Sequence, residues 1–145
     1  MIGRGSDDLP PEAEQWGGRV RGLGWIDDLN AELGGAAAML SPLRIGSGTK
    51  IKVLEALSRG LPVVATPHGV LGLAVGPNDG CLLAEDPVSL AWKLVEAIDP
   101  VRNAELSAAS LSTWHDRFAP SVVAHAYDAL LGLPDVLGLP IADLA

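Results

Sequence analysis

One cysteine, no long apolar run and a shortage of positive charge narrow what this 145-residue chain can be. Cys81 has no second thiol for an internal disulfide, and the stretch CLLA brings no cysteine or histidine beside it to share a metal, so it reads as a small core residue. No run of about 18 apolar residues is present to span a bilayer, and the start, MIGRGSDDLPPEAEQ, lacks the basic and then apolar regions of a signal peptide. A cytoplasmic protein without a transmembrane segment is expected. Lys and Arg total 10 against 18 Asp and Glu, a net charge of -8 that repels nucleic-acid backbones and argues against a polynucleotide partner. What is there is apolar content of 48% with 19% charged residues, enough to pack a core. The length suits one domain of roughly 100–200 residues.

The pattern along the chain alternates strand and helix. Pro10–Trp16 suits one or two helical turns ended by Gly17 and Gly18, and Val20–Leu23 reads as a short strand. Asp27 or Asp28 caps a helix to about Leu33, and Ala37–Ser41 is a second strand. A helix is predicted over Thr49–Arg59, with Val53, Leu54 and Leu57 on one face, followed by strands at Pro62–Ala65 and Cys81–Ala84. Asp86 caps a helix from about Pro87 to Ile98, Pro100 starts another, and Ala119–Leu131 is the last. Such alternation predicts an α/β class: a parallel, doubly wound sheet of Rossmann-like type with helices on its faces. Four strands are expected, with a first strand cut short at Met1 and Ile2. The domain is placed at residues 1–131. Residues 132–145, broken by Pro134 and Pro140, are expected to form an arm or a disordered tail.

Acidity is unevenly spread. Arg44, Lys50, Lys52 and Arg59 lie in a stretch whose only acid is Glu55, a local excess of positive charge that points to a bound anion. Within it, Pro42-Leu43-Arg44-Ile45-Gly46-Ser47-Gly48-Thr49-Lys50 puts a glycine-rich loop after a strand and before a helix. Unpaired amides and the helix dipole favour an anion at such a place, beyond the carboxyl end of a strand. The plainer alternative is that Ser47 caps the helix while Gly46 and Gly48 make a tight connection. A Walker-type loop is excluded because Lys50 follows Thr49 and precedes Ile51, and Gly3 and Gly5 lack the third glycine of a dinucleotide fingerprint.

The string PLRIGSGTKIKVLEALSRGLPVVATPHGVLGL, with RGLGWIDDLNAELGGAAAMLSPL upstream, resembles the group 1, retaining glycosyltransferases of GT-B fold, over about residues 3–98. The resemblance implies that this chain is the donor-binding C-terminal part of such an enzyme, with the N-terminal domain and the catalytic residues lying upstream of Met1 or on a partner chain. It implies a nucleoside diphosphate sugar as substrate, no cofactor and no metal. By position, the amides around Gly46, Ser47, Gly48 and Thr49 face the diphosphate, Lys50 or Lys52 adds charge, Glu55 binds the ribose hydroxyls, and the backbone near Ile26 borders the base. Ser47 stands where many members carry a first glutamate that contacts the sugar. Alternation around a helix lets only one of Lys50 and Lys52 point into a single site. Glu55 has an ordinary alternative, an i,i+4 pair with Arg59.

Other polar and aromatic residues carry less. His68 lies in the loop TPHGV, which by the resemblance would approach the donor, yet with no acidic partner in view it reads as solvent-facing; His115 and His125 read as surface or packing, and Trp16, Trp92 and Trp114 as core or domain-interface residues. Asp27-Asp28 is better explained as a cap than as a metal site. Two further readings stand beside the enzyme: a non-catalytic nucleotide-sugar-binding module, and an α/β interaction module without a ligand.

Overall fold

The computed structural model describes residues 1–132, which divide into two compact units, Met1–Ala36 and the part from Ala37 onward. The expected tail at 132–145 falls almost wholly outside the described residues.

In the first unit, Pro10 leads into a 3-10 turn, Pro11–Trp16, which stops at Gly17 in the left-handed region, as the sequence predicts. Helix α1, Leu29–Leu33, starts where the Asp28 carboxylate accepts the amides of Asn30 and Ala31, both at 3.0 Å. The strand expected at Val20–Leu23 is not formed. Its backbone makes a short pairing with the chain start: Leu23 N–H donates to the Met1 carbonyl at 2.9 Å, the Met1 amine to the Arg21 carbonyl, and Gly3 N–H to the Gly24 carbonyl at 2.8 Å. The reason is local. Gly22 runs so close to Ser6 that a Cβ there would sit 1.7 Å from the Ser6 carbonyl oxygen, and a glycine at the middle of so short a segment weakens any ladder.

The second unit holds the sheet. Strands β1 (Met39–Ser41), β2 (Val63–Ala65) and β3 (Cys81–Leu83) run parallel in the order β1-β2-β3, with Met39 opposite Val63 and Val63 opposite Cys81. Among the described residues three strands therefore stand where four were expected. Strand β2 is apolar and wholly buried, as a covered parallel strand requires, and β3 nearly so, whereas the edge strand β1 leaves Leu40 exposed. Helix α2 (Ile51–Ser58) follows β1 and packs on β1 and β2 with Val53, Ala56 and Leu57 buried. It begins two residues later than the sequence predicts. Helix α3 (Pro87–Ile98) packs on β2 and β3, and α4 (Pro100–Thr113) packs against both α2 and α3. Val64 and Leu82, neighbours on one sheet face, close a core with Leu90, Ala97 and Leu106.

Asp86 caps as read: it accepts Val88 and Ser89 N–H at 3.0 Å and opens α3. Asp99, not read as a cap in the sequence, does the same for α4, accepting Val101 N–H at 3.1 Å and Arg102 N–H at 3.0 Å before Pro100. Asn103 then ties α4 to the residues before β1, donating to the Ala37 carbonyl at 2.8 Å. Between β2 and β3 there is no α-helix but two 3-10 turns, His68–Val70 and Pro77–Asp79. The second turn is pinned by Arg117 from the π-helical turn Trp114–Phe118: its guanidinium reaches Asp79 Oδ1 at 3.3 Å and the Leu73 carbonyl at 2.7 Å. Helix α5, Pro120–Leu131, ends the described chain.

The result is a mixed α/β fold with a parallel sheet, consistent with the Rossmann-like class that the alternation predicts. Cys81 is fully buried, and desolvation, aided by the Asp79 charge, pushes its thiol up to about 12. Trp92, expected in a core or at a domain interface, is no core residue: it is 70% exposed on α3. Among the described residues no helix is long and apolar enough to cross a membrane.

Candidate functional site

Parallel strands deliver their carboxyl ends to one edge of the sheet, and the chain uses that edge. The segment after β1 brings Leu43 and Arg44, the segment after β2 brings Thr66, Pro67 and His68, and the segment after β3 brings Glu85 and Asp86. These line an open cleft of about 520 Å³, within the range of small-molecule sites.

The floor of the cleft is rigid. Thr66 Oγ1 donates to the Leu43 carbonyl and accepts Gly69 N–H at 3.0 Å, while Thr66 N–H donates to the Ser41 carbonyl at 3.2 Å. Gly69 must lack a side chain here, because a Cβ would come within 2.4 Å of the Ser41 carbonyl oxygen. Two of these hydrogen bonds tie the turn after β2 to the end of β1 and to the turn beyond it, and the third closes the turn on itself.

The glycine loop continues from Arg44; none of residues 45–50 lines the cleft itself, and the loop meets it through the contact of Gly46 with His68. Residues 42–49 are all exposed, and Gly46 and Gly48 hold φ of 124° and 93°, values open to glycine but strained for other residues. The amides of Gly46, Ser47, Gly48 and Thr49 have no hydrogen-bond partner among the described residues. Ser47 is not the helix cap: α2 starts at Ile51, the cap position is Lys50, and no side chain caps it. The open amides and the uncapped start of α2 therefore lie together, an arrangement suited to an anion.

Lys50 and Lys52 separate cleanly. Lys52 is exposed, whereas Lys50 is only 8% exposed, and its ammonium reaches one acceptor, the Gly46 carbonyl, at 3.4 Å. No carboxylate pairs with it among the described residues. A buried cation with a single long hydrogen bond is under-compensated, since buried charges are ordinarily paired. Arg44, in the cleft, likewise has no carboxylate partner among the described residues. On the acidic side, Asp86 is committed to capping α3, and its hydrogen bonds to Ser89 and Val88 hold its carboxyl below the usual range.

Glu55 sits on α2, partly exposed, with Oε1 3.0 Å from Arg59 Nη1. This is the ordinary helical pair. Such a pair is worth only about 0.3–0.5 kcal/mol and yields readily to a better partner. Ile26 belongs to the first unit, half-buried in the irregular backbone just before the Asp28 cap.

His68, read from the sequence as solvent-facing, is instead half-buried and engaged. The His68 ring, through Nε2, lies 2.8 Å from the Gly46 carbonyl, linking two loops that are 22 residues apart. No charge pattern marks it, because its partner is a backbone oxygen. Among the described residues no group of three or more His, Cys, Asp or Glu is placed to hold a metal.

The fold and the cleft define an α/β domain with a ligand-sized depression at the carboxyl ends of parallel strands. Residues 1–99, from the chain start through the end of α3, match the family model described as glycosyl transferases group 1. The chain belongs to that family of glycosyl-transferring proteins. No curated protein and no solved structure matches it.

Proposed function

We propose that the chain binds the nucleoside diphosphate part of a nucleotide-sugar donor, as the donor half of a retaining glycosyltransferase of GT-B fold. The observation that supports it best is Lys50: a buried ammonium without a counter-ion, next to a loop of open amides. In this reading the amides of Gly46, Ser47, Gly48 and Thr49 and the Lys50 ammonium take the diphosphate, and Arg44 extends the positive field into the cleft. Glu55 exchanges Arg59 for the ribose hydroxyls, an acceptor-only group suited to a diol. Ser47 offers a hydroxyl where a carboxylate would contact the sugar, and Glu85, without a partner among the described residues, is the cleft's remaining acceptor for hydroxyls.

Chemically, these groups favour departure of the diphosphate. Negative charge grows on the leaving oxygens as the bond to the sugar breaks, and donors already in place stabilise it without reorganisation. The acceptor and the remaining catalytic groups come from a second domain, upstream in a longer chain or on a partner chain, in the cytoplasm. No resident metal or cofactor is required, because cations and amides of the protein meet the charge.

A thermal-shift screen tests this reading. At least one of uridine, guanosine and adenosine diphosphate should raise the melting temperature, and Glu55→Ala should weaken that nucleotide several-fold while leaving inorganic pyrophosphate unaffected. No shift with any diphosphate would remove the proposal. A non-catalytic interaction module is the second reading, favoured by the Glu55–Arg59 pair. Glu55→Ala leaving every ligand profile unchanged would support it.

A further inference from the structure

We infer that His68 is a positioning residue for the diphosphate: by holding the Gly46 carbonyl, it fixes the glycine loop and keeps the Lys50 ammonium available to the anion. The inference rests on the nucleotide reading above and adds a residue outside the glycine string.

Two donors converge on one acceptor. The His68 contact, at 2.8 Å, has the length of a good hydrogen bond, whereas the Lys50 contact, at 3.4 Å, is near the limit at which such a bond has any strength. The carbonyl is therefore satisfied mainly by the imidazole. An incoming phosphate oxygen needs to displace only the weak contact, and it gains a charged hydrogen bond that is stronger than a neutral one. Without the imidazole, two things change together. Gly46, at a φ of 124°, loses the tether to the turn after β2, and its carbonyl becomes fully open to Lys50, which then satisfies itself internally. His68 is well placed to hold rather than to yield, because its turn is anchored by Gly69 N–H on Thr66 Oγ1 and by the close approach of Gly69 to Ser41.

The test is a calorimetric titration of the full chain with inorganic pyrophosphate and with uridine, guanosine and adenosine diphosphates. It compares the wild type with His68→Ala, His68→Phe and His68→Gln, all checked for cooperative melting. Gln places an amide donor close to where imidazole Nε2 lies, while Phe keeps the ring volume and loses the donor. The expected result is a loss of about five- to tenfold in affinity for His68→Ala and His68→Phe, the effect of one hydrogen bond, with His68→Gln within about twofold of wild type. Should His68→Ala fail to fold, the contrast of Gln with Phe decides. Equal affinity across the series, or Phe preserving binding while Gln loses it, would overturn the inference and leave the nucleotide reading standing. A wild-type chain that takes up none of the four ligands would remove that reading as well.

Discussion

At the scale of single residues, burial separates side chains that look alike in the sequence. Lys50 and Lys52 differ by two positions and by 8% exposure against open solvent on the side of α2, which helical geometry anticipates in kind but not in choice. His68 was read as solvent-facing because its partner is a main-chain oxygen that folding alone brings near. Cys81 was legible, because an isolated thiol in an apolar string has little else to be. Its thiol is held at about 12 against an ordinary 9.0, so the folded state keeps a proton that the unfolded chain gives up. The stability linked to that proton is complete below pH 9 and is lost as pH rises toward 12. Urea melts from pH 8 to 11 should therefore show wild-type stability falling more steeply than that of Cys81→Ala. Parallel pH profiles for the two proteins would contradict the buried, protonated thiol.

At the scale of elements, the sequence marked beginnings better than middles. Asp28 and Asp86 cap their helices as read, and Asp99, passed over in favour of Pro100, caps α4 in the same way, because a short carboxylate before a helix has one favourable use, accepting free amides. Strand β2 was readable as an unbroken apolar run, and β3 likewise. Val20–Leu23 misled because its alternation is interrupted by Gly22, where the backbone passes too close to Ser6 for an extended ladder. The start of α2 was placed early because Ser47 and Thr49 look like caps; the positive φ of Gly48 keeps the loop out of helical conformation until Lys50. The capping account gives a clean expectation for Asp99, which lies outside the cleft lining. Asp99→Ala should cost about 1 kcal/mol of stability, the usual worth of a lost cap, and should leave pyrophosphate affinity unchanged. Chemical denaturation and titration of the same protein measure both. An unaltered stability would mean that α4 does not depend on its cap.

For the whole molecule, family membership follows from a match over residues 1–99, and the parallel sheet with its cleft at the strand ends agrees with the α/β class. The central claim is that the second unit keeps a buried positive charge in readiness for a diphosphate. Stability and binding should then pull in opposite directions at one position, since replacing an under-compensated buried charge by an apolar side chain is often neutral or stabilising. The most direct measurement is the melting temperature of wild type and Lys50→Met, each with and without saturating pyrophosphate. The account predicts that Lys50→Met melts at or above the wild-type temperature without ligand, and that the ligand-induced rise seen in wild type disappears. A rise of equal size in both proteins would contradict it.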